Sequence, residues 1–529
     1  MKYPIGIQSF DQLISDGYMY VDKTDLIYRL VTSGKIYFLS RPRRFGKSLL
    51  VSTLECYFQG RKELFKGLAI DKLETEWAEY PVFHIDFNEG DFTVEGTLEK
   101  KIEEHVADWE KVYGRSDTAQ TIGRRFMYVL AQAHKRYGRR CVVLVDEYDK
   151  PILEVLDAGY KTRVDGEERL LEERHREILK AFYSIFKSAD KDLQFVLLTG
   201  VTKFSQVSVF SGFNQPNDIS MDEQYETLCG ITQEELEHYF AGPISELAKK
   251  YQTTTEGMLE MLKQRYDGYH FSSNLTDMYN PFSLLNAFAK RQLRDYWFAS
   301  GTPTYLVRLL NHTQEDLNEL TGKYYEDTEF VDYKANVEKP LPMIYQSGYL
   351  TIKKYDRDFG TFLLDFPNNE VKSGFVSLVA SSYLKPKENM NSWIRSVVVA
   401  MRKGEPDRLR DLFTSFLASI PYAMRSKDER EKERYFHYTL YLIFRLVSVY
   451  TVYTEKEQSQ GRADCIVETP DYIYIFEFKR DGSADEALAQ IEAKGYARPY
   501  EADPRKLYKI GVNFSSETGT VEEWKTIGD

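Results

Sequence analysis

The chain has 529 residues, 42% of them hydrophobic and 29% charged, the balance of a globular protein of roughly two to four domains rather than of a disordered or fibrous one. Its formal net charge of −12 excludes a surface that is basic overall, so any contact with nucleic acid has to come from a local patch or a bound cation. No run approaches the roughly 20 apolar residues of a membrane span, and the N-terminal stretch has no apolar signal-peptide core. Cys56, Cys141, Cys229 and Cys465 are scattered without a C-x-x-C pair, and the eight histidines form no ligand cluster. That usage predicts a reducing, cytoplasmic setting and no structural zinc, and the lack of an apolar span predicts no membrane partner.

Before Ile36 the pattern is helical and amphipathic: Phe10, Leu13 and Ile14, then Leu26, Ile27, Leu30 and Val31, with Asp22-Lys23-Thr24 as a cap between them. An apolar run from Ile36 to Leu39 then leads into Ser40-Arg41-Pro42-Arg43-Arg44-Phe45-Gly46-Lys47-Ser48, and a helical pattern with Leu49, Leu50, Leu54 and Phe58 follows. Strand, turn and helix with Gly-Lys-Ser at the helix start is the layout of a phosphate-binding loop. Backbone N–H groups face the anion, the lysine reaches the terminal phosphates, and the serine hydroxyl holds Mg²⁺. The template is G-x-x-x-x-G-K-[ST]. Arg41 stands at its first position, and Pro42 removes one N–H donor. The alternative for this stretch is a tight strand-to-helix turn with a basic surface.

Further along, Val82 to Phe87 predicts a strand, Ile122 to Tyr137 a helix, and Cys141 to Val145 a strand ending in Asp146-Glu147. Asp146 is placed to hold the Mg²⁺ shell and Glu147 to orient or deprotonate the attacking water. A charged helix is predicted from Glu167 to Ser188, then a strand from Phe195 to Thr199. Four short apolar runs alternating with helices predict a parallel sheet covered on both faces. Ligands of such sheets sit at the carboxyl ends of the strands, where Lys47, Asp146 and Thr199 would meet. Thr199, or Thr202 beyond it, would sense the terminal phosphate or cap a turn. The nucleotide-binding set is then Arg44, Phe45, Gly46, Lys47, Ser48, Leu49 and Thr199, with Ser48 and Asp146 on the metal.

Beyond Gly230 helical patterns dominate to Leu310, interrupted by Tyr266-Asp267-Gly268-Tyr269-His270-Phe271 and by Asn280-Pro281. Two strands follow, Gly348 to Lys354 and Thr361 to Phe366, suiting a small winged-helix-like or lid domain. Ser373 to Leu417 reads as helical again, with a boundary at the polar stretch around Pro386.

Near the C-terminus, Glu433 to Val449 predicts a helix. Gly461 to Glu468 and Tyr472 to Lys479 predict a hairpin turning at Thr469-Pro470-Asp471. With the turn centred between Pro470 and Asp471, Asp464 falls opposite Glu477, at the ~5 Å spacing of cross-strand partners. Lys479 shares the face of Glu477. Two carboxylates hold Mg²⁺, which polarises a phosphodiester, and the amine positions or activates water. The alternative is an edge hairpin with a solvated charged face.

Tyr20 to Leu50, with VDKT and RPRRFGKS, together with Leu198 to Ser205 and Tyr266 to Phe271, resembles the AAA-ATPase-like family of bacterial proteins. Members of that family carry Arg-Pro-Arg-Arg where the loop template starts with Gly, so the resemblance accounts for Arg41. The C-terminal part is similar to the PD-(D/E)XK nuclease domain usually fused to it. The similarity implies Asp464 and Glu477 as metal ligands and Lys479 as the third core residue. It also implies Gln490 and Tyr496, on the helix after the hairpin, as an accessory motif, and Glu433 as the acidic residue of the leading helix.

The expected fold is α/β: a P-loop NTPase parallel sheet, a helical and winged-helix-like middle region, and a restriction-endonuclease-like C-terminal domain. The expected limits are 1–230 for the ATPase domain, 231–385 for the lid region, 386–425 for a helical connector and 426–529 for the nuclease-like domain. The expected function is an ATP-binding ATPase coupled to a Mg²⁺-dependent nuclease acting on DNA, in defence against foreign DNA. The catalytic set is Glu147 in the first domain and Asp464, Glu477, Lys479 and Gln490 in the last. The alternative is a nucleotide-controlled switch or scaffold whose nuclease-like domain binds nucleic acid or protein without cleaving. The oligomeric state and the choice of DNA over RNA are not fixed by the sequence.

Overall fold

The computed structural model describes residues 2–164, 166–204, 216–300, 305–306, 309, 320–331, 340–384, 390–419, 442–444, 452–454, 457–458, 461–462, 465–515, 517–518 and 520–528. They fall into two compact units, Met1–Val371 and Lys372–Asp529.

In the first unit the strands up to Asp218 are, in chain order, β1 (Ile36–Ser40), β2 (Val82–Asp86), β3 (Cys141–Asp146), β4 (Lys161–Val164), β5 (Glu167–Leu170), β6 (Leu193–Gly200) and β7 (Asn217–Asp218). Five of them form the main sheet in the order β2-β3-β6-β1-β7, with all pairs parallel. Every residue of β3 is buried, which is why Cys-Val-Val-Leu-Val is apolar throughout instead of alternating. The four predicted strands are all present. The order also inserts β6 between the loop strand β1 and β3, so the residues at the end of β6 stand between the two halves of the predicted site.

Helices cover the sheet where their apolar stripes dictate. Ile122–Tyr137 runs as predicted, capped by the Thr121 side chain on the N–H of Arg124 and ended by Gly138 at φ +66°. Arg125 ties it to the helix Thr97–Tyr113 through a fork on Glu110 at 2.6 and 2.8 Å and a contact to Glu103 at 2.6 Å. The cap at Asp22-Lys23-Thr24 forms through the Asp22 carboxylate, which accepts from the N–H and hydroxyl of Thr24 and from the N–H of Ala69.

One predicted element is corrected. Glu167 to Leu170 is not the start of a helix but β5, paired antiparallel with β4. Lys161 and Glu168 hold the hairpin across the strands at 2.6 Å, Gly166 turns it at φ +87°, and the helix begins only at Leu171. Local pairing of alternating charges outweighs the helix propensity of Glu and Arg here.

The middle of the chain is helical, with Gln233–Lys250 opened by a Thr232–Glu235 capping box, followed by Thr255–Tyr266 and Pro281–Lys290. Leu236, Phe240, Ile244, Met258, Leu262, Leu284 and Phe288 make its core. The predicted strand pair is present as Thr351–Asp356 with Thr361–Asp365, and a third strand, Lys323–Tyr325, extends it.

In the second unit a mixed five-stranded sheet runs in the order Val452–Thr454, Cys465–Glu468, Tyr472–Arg480, Lys506–Phe514 and Val521–Gly528. Tyr472–Arg480 and Lys506–Phe514 are parallel, joined by the crossover helix Ala484–Ala493. That helix buries Leu488 and Ile491 on Ile466, Ile473 and Ile475. The aromatic side chains Phe476 and Phe478 take the other face with Phe444. Of the helix predicted from Glu433, only residues 442–444 are described, and they are helical. Among the described residues, no helix is long and apolar enough to cross a membrane.

Candidate functional site

The loop after β1 is built around the residue that departs from the template. The Arg41 side chain is buried and donates to the carbonyls of Ser40 at 2.9 Å, Ser220 at 2.6 Å and Tyr225 at 3.3 Å. Its guanidinium carbon lies 4.1 Å from the centre of the Phe271 ring. A glycine at the start of a phosphate loop allows a tight turn, whereas here a buried cation gathers three carbonyls and sets the turn from within. Phe45 packs edge-on against Tyr269 and Phe271, with ring centres 4.8 and 5.4 Å away. The YDGYHF interruption between two helices is thus a platform beneath the loop, a role its sequence position does not disclose.

Gly46, at φ +95°, starts the helix Lys47–Phe58. Lys47 is buried, its Nζ donating to the carbonyls of Arg41 at 3.1 Å and Pro42 at 3.4 Å and standing 3.5 Å from Oε1 of Glu147. Arg44 and Glu147 both have left-handed backbones, at φ +67° and +52°. Such conformations cost energy for residues with a side chain and persist where the surroundings impose them.

Asp146 is buried at the end of β3. Its Oδ1 accepts from the Thr199 hydroxyl at 2.6 Å and from the N–H of Glu147 at 3.1 Å, and Asn88 Nδ2 stands 3.5 Å from Oδ2. The Thr199 hydroxyl thus holds the Asp146 carboxylate at the end of the neighbouring strand. Thr202 donates its N–H to Asp149 at 2.6 Å, and Val201 does so at 3.0 Å. Burial, with Glu147 nearby, pushes Asp149 up to about 7. Gly200 has to be glycine, since a Cβ there would lie 2.6 Å from Asp149 Oδ1 and 2.7 Å from the Tyr148 ring.

A cavity of about 520 Å³ opens over the loop. Of the predicted nucleotide contacts, Arg44, Gly46, Lys47, Ser48 and Leu49 line it, as does Glu147. Phe45 does not, since its ring is turned into the aromatic platform, and the buried Thr199 stands behind Asp146. The walls that sequence reasoning missed come from Pro4–Gln8, Asn88, Phe282, Trp297 and Tyr305. Asn88 had a signal, a polar residue just past the carboxyl end of a parallel strand. Trp297 and Tyr305 had none, being brought in by the packing of the middle helices. The Ser48 hydroxyl and the Asp146 carboxylate are hard oxygen donors that suit Mg²⁺.

In the second unit the hairpin register is the one the turn predicts: Cys465 faces Phe476 and Ile466 faces Ile475. Asp464 and Glu433 lie outside the described residues. Glu477 is buried, and Lys479 donates to Gln490 Oε1 at 2.5 Å while standing 3.6 Å from Glu477 Oε1. Gln490 sits on the crossover helix, whereas Tyr496 lies just past its end, buried in the core. Asn513, beside Lys479 on the parallel neighbour strand, accepts from the N–H of Gly482 at 2.9 Å and was not legible in the sequence. A carboxylate, an amine and an amide thus converge on one face of the sheet. Among the described residues, no three His, Cys, Asp or Glu side chains gather as a metal site.

The family described as "Predicted AAA-ATPase" matches residues 4–210, and the PD-(D/E)XK nuclease superfamily matches residues 431–524. A protein of Azotobacter chroococcum mcd 1 described as "Uncharacterized protein in vnfD 5'region" is 35% identical over 527 residues, covering 98% of both chains. The chain belongs to the family of predicted AAA-ATPases that carries a PD-(D/E)XK nuclease superfamily domain at the C-terminus.

Proposed function

We propose that the protein is a P-loop ATPase coupled to a Mg²⁺-dependent PD-(D/E)XK nuclease acting on DNA. The observation that carries the ATPase half is the 3.5 Å approach of Lys47 to Glu147 in the wall of the loop cavity. It places the cation for the terminal phosphates beside the carboxylate that orients or deprotonates water. Arg44, Gly46, Lys47, Ser48 and Leu49 hold the nucleotide, Phe45 anchors the loop from below, and Thr199 acts through Asp146. Ser48 and Asp146 hold Mg²⁺, which when bound neutralises charge on the phosphates.

The nuclease half is supported by the Glu477, Lys479 and Gln490 cluster. Glu477, with Asp464, would hold Mg²⁺, whose chemistry there would be to polarise a phosphodiester. Lys479, oriented by Gln490, positions the attacking water. The domain limits 1–230, 231–385, 386–425 and 426–529, a cytoplasmic location and a role in defence against foreign DNA belong to the same reading.

The test is cleavage of several DNA and RNA substrates by the full chain, with and without ATP and Mg²⁺. Metal-dependent cutting supports the reading. Nucleotide binding without cutting points instead to a nucleotide-controlled switch, and no nucleotide binding at all points to a scaffold.

A further inference from the structure

As a terminal phosphoryl group leaves, charge spreads over its equatorial and leaving oxygens, and a second cation beside the loop lysine stabilises that state. The charged side chains lining the loop cavity are Arg43, Arg44, Lys47, Lys150, Glu147 and Glu154. Most are engaged. Lys47 stands 3.5 Å from Glu147 and Lys150 3.4 Å from Glu154, while the Arg44 guanidinium lies 5.1 Å from the centre of the Phe282 ring. Arg43 is exposed, and its guanidinium has no side-chain partner among the described residues.

Its backbone, by contrast, is fixed. The Arg43 carbonyl accepts from Trp297 Nε1 at 2.9 Å. The preceding Pro42 is seated so close to Gly348 that a Cβ there would lie 2.6 Å from the proline ring. On the same cavity wall the Tyr305 hydroxyl is hydrogen-bonded to Ser347 at 2.9 Å. Burial pushes the pKa of that phenol up; the Ser347 hydrogen bond and the Arg43 charge pull it down and the Glu147 charge pushes it up, so one hydroxyl senses both charges. A cation with a fixed root and an unengaged head, lining the same cavity as the Glu147 carboxylate, is placed to reach the reacting phosphate.

We propose that Arg43 is a catalytic residue, an arginine supplied in cis by the phosphate loop itself, which contacts the terminal phosphate in the transition state. This rests on the ATPase reading above. In the step, the water oxygen bonds to the γ-phosphorus while the bond to the β–γ bridging oxygen breaks. The electron pair leaves with ADP, and the water proton passes to the Glu147 carboxylate. The guanidinium donates two hydrogen bonds to oxygens whose charge grows in that step, so it acts on turnover more than on binding. Trp297 is a positioning residue that holds the loop from which Arg43 extends.

The test uses the full chain with Mg²⁺-ATP and compares wild type, Arg43→Ala and Arg43→Lys. Arg43→Ala should bind ATP within about threefold of wild type and release phosphate on the order of 10²-fold or more slowly, against the roughly 10³–10⁵-fold that such arginines supply. Arg43→Lys should recover only part of the rate, because an ammonium lacks the planar fork. The wild-type rate per molecule should stay flat on dilution. Equal turnover in Arg43→Ala, a loss confined to ATP affinity, or a per-molecule rate that falls with dilution because a second copy supplies the cation would each overturn the proposal. Wild-type protein that neither binds nor hydrolyses ATP would overturn the ATPase reading, and the role of Arg43 with it.

Discussion

Replacing Arg41 should unfold the loop that the rest of the first unit is arranged around. Arg41→Ala removes the donors to the Ser220 and Tyr225 carbonyls and the contact with Phe271. A buried carbonyl left without a donor costs ~1–3 kcal/mol, and a desolvated cation–π contact is worth ~2 kcal/mol. Two carbonyls and the ring contact sum to about 4–8 kcal/mol; the mutation also relieves the cost of keeping a guanidinium away from water, about 3 kcal/mol, so the net loss should be about 1–5 kcal/mol. At about 2.1 cal/mol/K per residue, a unit the size of Met1–Val371 has an unfolding entropy of ~0.8 kcal/mol/K, which converts that loss into a drop of about 1–6 °C in thermal midpoint. Calorimetry of the full chain reads it, since the two units need not melt together. Arg41→Lys keeps the charge but not the fork and should recover less than half of the loss. ATP affinity should fall with stability, because the carbonyls of Arg41 and Pro42 hold Lys47. If Arg41→Ala melts within about 1 °C of wild type, the guanidinium is not what sets the turn.

Lys47→Ala should lose most ATP affinity, on the order of 1.5–3 kcal/mol for one charge-assisted contact, read by nucleotide titration, and unchanged affinity would remove the loop from the mechanism. Glu147→Gln should still bind ATP but release phosphate roughly 10²–10⁴-fold more slowly, and equal turnover would make Glu147 only a polar residue after a strand. Asp464→Ala and Lys479→Ala should each abolish nucleic-acid cleavage while ATPase activity stays intact. Asp464→Ala should also weaken Mg²⁺ binding, read by calorimetric titration, and cutting at the wild-type rate by both variants would leave the switch reading in place. Glu370 is pushed up to about 7 by burial, with Asp295 adding to the effect, while hydrogen bonds from Ser283 and Trp297 oppose it. A folded value above the unfolded one means stability that is present when the group is protonated and lost as pH rises through about 7. The thermal midpoint of the first unit should therefore fall between about pH 4.5 and pH 7, and Glu370→Gln should flatten that fall; an unchanged slope would show that Glu370 ionises freely in the folded protein.

The elements that sequence alone determined are those whose chemistry is local. The apolar run of β3 up to Asp146, the helix Ile122–Tyr137 between its Thr121 cap and Gly138, and the hairpin pairing Cys465 with Phe476 follow from periodicity, caps and turn residues within a few positions. So does Gly46-Lys47-Ser48 at a helix start. Tertiary structure decided what depends on long-range contact. The first position of the loop reads as a defect until the fold brings Ser220, Tyr225 and Phe271 around Arg41. Thr199 becomes the orienting partner of Asp146 only because β6 lies beside β3. Trp297 and Tyr305 join the cavity although more than 200 residues separate them from the loop, as the hydrogen bond from Trp297 to Arg43 shows. Period and propensity report on neighbours a few residues away, and a site assembled at the ends of parallel strands takes its walls from segments whose separation in sequence carries no trace of their proximity in space.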